Sequence, residues 1–225
     1  VLAVIVGLSV SGLVPEEMEE LSGVAIACTG AALVLLASFI FYSRGQTTQG
    51  VVSSASSTLL VFVYIGLMGG FLLVLRREYS AWLVLGVLLI TKSCDIGAYF
   101  TGTAIGRHKL IPWLSPGKTW GGLAGGVATS MLLGGLAIWL ISVQPAEVHG
   151  VRVDLEWWHG ALAGAVLGLV GQGGDLMASL LKRDAGVKDA STVLPGFGGV
   201  LDVIDSPLLV APVVYWLLAA AHASA

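Results

Sequence analysis

Long apolar windows alternate with short polar stretches along this chain. The windows lie at 1–14, 21–43, 51–75, 80–100, 120–143, 158–181 and 199–220. A helix needs about 20 apolar residues to cross a hydrocarbon core, and every window but the first is of that size. The pattern predicts an all-α fold, a polytopic transmembrane helical bundle of about seven spans. The sequence opens at Val1 inside an apolar run, with neither an initiator methionine nor a basic leader, so a chain trimmed at its front is expected.

The polar stretches divide into ordinary loops and two unusual segments. Glu16, Glu17, Glu19 and Glu20 form a solvated loop between the first two spans. Residues 144–157 form another, ending on Trp157 and Trp158, which suit a membrane interface. Basic residues cluster after alternate spans: Arg44; then Arg107, Lys109 and Lys118; then Lys182, Arg183 and Lys188. The positive-inside rule makes that side cytoplasmic, with Arg76 and Arg77 as exceptions on the other.

Composition supports the membrane reading. Hydrophobic residues make up 56% of the chain and charged residues 11%, against roughly a quarter charged in soluble domains. A net charge of −3 gives no basis for a nucleic-acid partner. Cys28 and Cys94 both lie within apolar runs, so neither a disulfide framework nor a metal site is expected from them. Glycine pairs such as Gly121-Gly122, Gly125-Gly126 and Gly134-Gly135 are expected to let helix backbones approach. No fixed-period repeat is evident, which argues against a solenoid or an inverted-repeat transporter.

Charge at membrane depth is costly and therefore tends to be functional. It concentrates at 95–122 and 171–207, both on the expected cytoplasmic side. In the second segment Asp175, Ser179, Lys182 and Arg183 follow at steps of four, three and one. They fall within roughly 100° of one helical face. Lys188 and Asp189 come next, then the glycine-rich stretch Pro195-Gly196-Phe197-Gly198-Gly199, then Asp202 and Asp205 three apart on a helix face. Short carboxylates beside glycine backbone suit a hard cation such as magnesium, and adjoining lysine and arginine suit phosphate oxygens. The combination reads as a metal-assisted phosphate site.

The first segment supplies Asp95 and Tyr99 at helical spacing and the basic Arg107-His108-Lys109. It ends in Ser115-Pro116-Gly117-Lys118-Thr119-Trp120, leading into a span. A P-loop would need glycine where Pro112 stands, and a membrane span follows, so that motif is rejected. Hydroxyl, backbone and lysine at a helix start still suit an anion. His108, His149, His159 and His222 lie near span ends, where interfacial placement is expected; only His108 falls inside a basic loop.

At these residues the chain resembles the CDP-diacylglycerol synthase family, also called phosphatidate cytidylyltransferases. The resemblance rests on Ser179, Lys182-Arg183, Lys188-Asp189, Pro195-Gly196-Phe197-Gly198-Gly199 and Asp202-Val203-Ile204-Asp205. Upstream it adds Asp95, Ala98-Tyr99 and Ser115-Pro116 with Lys118-Thr119-Trp120, so about residues 90–215 are covered. Phe197 and Val203 depart from the family's usual histidine and arginine.

The resemblance implies that CTP and phosphatidic acid give CDP-diacylglycerol and pyrophosphate, in phospholipid biosynthesis. It implies magnesium, with a second cation an option, held by Asp175 and Asp202 and joined by Asp205. Lys182, Arg183, Lys188 and Lys118 would bind phosphate groups. Asp95 would complete the polar cavity, and Ser115 and Thr119 would hydrogen-bond phosphate. Asp189, Tyr99, Ser179, Gly198 and Gly199 belong to the same motifs. The resemblance further implies a bacterial inner-membrane enzyme with its site facing the cytoplasm, and is compatible with a homodimer. Residues 1–80 would be scaffold helices and 81–225 the catalytic region. Two other readings stand beside it: a CTP-using kinase of another lipid such as a polyprenol, and an ion-coupled transporter using Asp95, Asp175 and Asp202.

Overall fold

A computed structural model of the chain describes residues 19–45, 48–143, 156–188, 190–191 and 199–223. Six helices among them are long and apolar enough to cross a membrane, and the protein is an integral membrane protein. They are α1 (Glu19–Ser43), α2 (Val51–Glu78), α3 (Ala81–Ile105), α4 (Trp120–Val143), α5 (Trp157–Asp184) and α6 (Val200–Ala223). These match six of the seven expected windows; the window at 1–14 lies outside the described residues. One turn of α2, Phe62–Leu67, is π-helical.

One feature departs from an all-helical chain. Between α3 and α4 the backbone forms an antiparallel hairpin of β1 (Lys109–Ile111) and β2 (Ser115–Thr119), with Lys109 opposite Thr119 and Ile111 opposite Ser115. Leu114 N donates to Ile111 O at 3.2 Å to close the turn. Pro112 and Pro116 cannot donate backbone hydrogen bonds, which keeps this stretch out of helix and the ladder short. The Thr119 hydroxyl accepts from Gly122 N at 3.0 Å and so caps the start of α4.

The chain forms two compact units, Val1–Val74 and Leu75–Ala225. In the first, α1 packs on the front half of α2, and the Tyr42 hydroxyl meets Thr58 Oγ1 at 3.4 Å. In the second, α3 packs on α4, α4 on α5 and α5 on α6, while α3 also reaches α5 and α6.

The second unit exposes large apolar side chains and buries polar ones beside apolar ones. Leu132, Trp139, Leu162 and Trp216 are exposed on its outside. Thr91, Ser130, Gln172, Asp205 and Ser206 are buried inside. Hydrocarbon accepts the apolar surface, so association falls to close backbone packing and interhelical polar contacts. Glycine provides that closeness. A side-chain carbon on Gly134 would strike Gly160 across the α4–α5 crossing. One on Gly174 would lie 2.8 Å from the Asp205 carbonyl of α6.

Candidate active site

The close approach of α5 to α6 at Gly174 brings the inner polar groups of the second unit together. Asp95 sits ten residues before the end of α3, and Asp175 nine before the end of α5. At 1.5 Å per residue both carboxylates lie about 15 Å inside those ends, well within a bilayer's thickness. There a charge persists only with partners.

Those partners form a chain of contacts across four elements. The Lys92 ammonium of α3 lies 3.4 Å from Asp95 Oδ2 and 3.5 Å from Asp205 Oδ1 of α6. It is also 3.5 Å from the Ser206 hydroxyl. Gln172 of α5 donates through Nε2 to Asp95 Oδ1 at 2.5 Å. The Oε1 of the same amide accepts from Lys118 Nζ of β2 at 2.9 Å. Lys118 in turn forms an ion pair with Asp175. Asp205 Oδ1 accepts from the Ser206 backbone N at 2.6 Å and from its hydroxyl at 3.1 Å.

Exposure is graded across this group. Asp205 and Ser206 are buried, whereas the Asp95 and Asp175 side chains keep 35% and 30% of their surface open. The cluster is therefore closed at α6 and open at Lys92, Asp95 and Asp175, with Lys118 more enclosed and Gln172 buried between them. Three carboxylates against two ammonium groups give it a formal excess of one negative charge.

A second, outer cluster lies nearer the ends of α5 and α6. Lys182 Nζ donates to Asp202 Oδ1 at 2.6 Å. Asp202 Oδ2 accepts from the backbone N of Ala190 at 2.9 Å and of Gly199 at 2.7 Å. The single carboxylate thus joins α5, Ala190 and the start of α6.

The expected site residues divide accordingly. Asp95, Lys118, Asp175 and Asp205 meet in the inner cluster; Lys182, Asp202 and Gly199 meet in the outer one. The three carboxylates expected to share a metal are split between the two, because Lys182 and two amides already occupy both oxygens of Asp202. Among the described residues no three His, Cys, Asp or Glu side chains converge to hold a metal.

Ser179 is half-buried one turn beyond Asp175, and Ser115 is half-buried in β2. Thr119 caps α4 rather than facing the cluster. Tyr99 is 68% exposed and packs edge-to-face on Phe100. Arg183 and Lys188 are exposed, as are His108 and Val203. His159 instead accepts from the Glu156 backbone N at 3.1 Å and stacks on Trp158 at the start of α5. Asp189 and Gly198, with Pro195, Gly196 and Phe197, lie outside the described residues.

Sequence reading missed Lys92, Gln172 and Ser206. The signal for Lys92 was present, since it is an isolated lysine midway along an apolar window, where charge carries a default expectation of function. Gln172 stands three residues before Asp175 and so shares its face.

The sequence matches the family described as "Cytidylyltransferase family" over residues 2–221. It is similar to the uncharacterized protein YnbB of Escherichia coli (strain K12), 35% identical over 197 residues, covering 81% of this chain and 61% of that protein. It is equally similar to the phosphatidate cytidylyltransferase of Haemophilus influenzae, 35% identical over 192 residues, covering 81% of this chain and 62% of that protein. The phosphatidate cytidylyltransferase of Staphylococcus aureus (strain COL) is 31% identical over 213 residues, covering 94% of this chain and 78% of that protein. The chain therefore spans about three fifths of the length of the first two relatives.

Proposed function

The chain belongs to the cytidylyltransferase family, and we propose that it transfers the cytidylyl group of CTP to phosphatidic acid, giving CDP-diacylglycerol and pyrophosphate. The observation that carries this reading is the inner cluster: lysines and carboxylates meeting at membrane depth, open on one edge, in a chain of this family. The cluster lies toward the span ends that carry Lys109, Lys118, Lys182 and Lys188. By the positive-inside rule this is the cytoplasmic side, where CTP is available. A bacterial inner membrane is the proposed location.

The chemistry asks more for charge control than for acid–base catalysis. A phosphate monoester has its second pKa near 6, so the phosphatidate oxygen is already ionised near neutral pH. That oxygen attacks the α-phosphorus of CTP, the α–β phosphoanhydride bond breaks, and pyrophosphate leaves with the bonding pair. Both reactants are polyanions, so alignment and neutralisation dominate the barrier. Lys118 is the cation placed to meet them, since it belongs to the hairpin and already bridges Gln172 and Asp175. Lys182 and the exposed Arg183 and Lys188 would draw triphosphate or lipid phosphate toward the site. The acyl chains would stay in lipid while the headgroup reached the open edge.

Magnesium forms part of the proposal. The chemistry of the donors suits it, because Asp95 and Asp175 keep hard carboxylate oxygens partly open and Asp205 joins them through Lys92. Asp175 and Asp205 would hold the ion, with Asp202 joining only on release of Lys182. When bound, it would neutralise phosphate oxygens and orient them. The departures at Phe197 and Val203 are compatible with a reaction in which the nucleophile needs no base.

Pyrophosphate release by purified protein in detergent micelles tests the proposal, with CTP and magnesium present. Release that depends on phosphatidic acid supports it. Release without lipid, or none from folded protein, contradicts it.

A further inference from the structure

Lys92 stands at the middle of α3, eleven residues from its first residue and thirteen from its last. Neither end is near enough for its side chain to reach water along the helix. An ammonium at that depth is costly in hydrocarbon and needs anionic partners. It has two, on different helices: Asp95 Oδ2 at 3.4 Å and Asp205 Oδ1 at 3.5 Å. The Ser206 hydroxyl lies 3.5 Å away, and 35% of the Lys92 side-chain surface stays open. Asp205 is buried, and Lys92 is the cation the structure pairs with it. Lys118, the other cation of the cluster, lies at the opposite end on Gln172 and Asp175.

We propose that Lys92 is a built-in counter-cation of this site, holding Asp95 and Asp205 together and filling the position a second metal ion would otherwise take. It is a positioning residue, since it touches carboxylates rather than reactants. Two carboxylates brought together without a cation repel each other and attract one from solution. With Lys92 present, the formal excess is a single negative charge, suited to one divalent ion. Without it the excess doubles, and the gap between Asp95 and Asp205 becomes an anionic cavity lined by oxygen donors. The inference rests on the cytidylyltransferase reading only where turnover is measured; cation binding stands apart from it.

The test is titration of the detergent-solubilised full chain with Mn2+ alone, bound ion being counted by electron paramagnetic resonance. Lys92→Ala is expected to bind one more Mn2+ per chain than the unmodified protein, and Lys92→Arg the same number. Should Lys92→Ala not fold, Lys92→Gln removes the charge while retaining a hydrogen-bond donor and carries the same expectation. Pyrophosphate release is measured alongside, with at least a tenfold loss expected in Lys92→Ala and retention in Lys92→Arg. An unchanged Mn2+ count in folded, charge-free variants overturns the inference, whatever the turnover. An added Mn2+ in Lys92→Ala, with no lipid-dependent turnover in the unmodified protein, upholds it and overturns the reaction instead.

Discussion

Gln172 and Asp95, 77 residues apart, are joined by a 2.5 Å hydrogen bond from the amide of one to the carboxylate of the other. The amide's oxygen accepts from Lys118 at 2.9 Å, so one neutral side chain connects an anion on α3 to a cation on the hairpin. Replacing Gln172 with Leu keeps the size and removes both contacts. Hydrogen bonds to charged groups are worth about 1.5–3 kcal/mol each. A fall in kcat/KM of at least tenfold is expected, measured as lipid-dependent pyrophosphate release. Gln172→Asn, too short to span both partners, is expected to lose nearly as much.

Lys118 neutralises Asp175 and, in the proposed reaction, would also act on the triphosphate. Lys118→Met removes the cation from that carboxylate, and because the pair is partly exposed the cost is expected to fall below the roughly 3–5 kcal/mol of a fully buried pair. A rise in KM for CTP and a lower Tm are expected together. Lys118→Arg is expected to restore Tm more fully than turnover, because a planar guanidinium cannot reproduce the contacts of a compact ammonium. Comparing steady-state kinetics with thermal unfolding separates the two effects.

Asp202 is expected to act on the backbone. Its Oδ2 accepts from Ala190 and Gly199, while Oδ1 holds Lys182. Asp202→Asn weakens all three contacts and should speed amide hydrogen exchange at Ala190 and Gly199 by tenfold or more. Exchange along α4 should be unchanged. Mass spectrometry of peptides covering 185–205 reads this directly.

Gly174 tests the packing that brings Asp175 and Asp205 near each other. A methyl there would lie 2.8 Å from the Asp205 carbonyl and 3.1 Å from Ser206 Cα. Gly174→Ala is expected to cost about 1–3 kcal/mol and to lower turnover as α6 is pushed away. Gly86, on α3, has nothing within 4 Å of the same added atom. Gly86→Ala should leave Tm and turnover unchanged, and thermal unfolding in detergent compares the pair.

The helices were legible because membrane spans announce themselves by apolar runs of sufficient length, and 80–100 and 120–143 foretold α3 and α4 within a few residues. The hairpin was not, because Ser115-Pro116-Gly117 carries no strand alternation and its pairing depends on where α3 stops and α4 starts. The carboxylates of the site were legible as costly charges at depth. Their partners were harder to read. Lys92 meets Asp205, and Gln172 meets Asp95, only through the relative rotation of three helices, which glycine contacts such as Gly174 against Asp205 determine. Spacing placed Asp175 and Lys182 on one face, yet they serve different clusters. Seven residues of helix separate them by about 10 Å along the axis.

The central claim is that the α-phosphorus of CTP moves to a lipid phosphate, and labelled CTP tests it most directly. Purified protein would be incubated with phosphatidic acid and magnesium beside CTP carrying the label at either the α or the γ position. The lipid would then be extracted. The account predicts that α-label enters the lipid phase, that γ-label leaves as pyrophosphate, and that Asp175→Asn reduces both at least a hundredfold. γ-Label in the lipid would make the protein a lipid kinase, and lipid-independent release of either label would contradict the account.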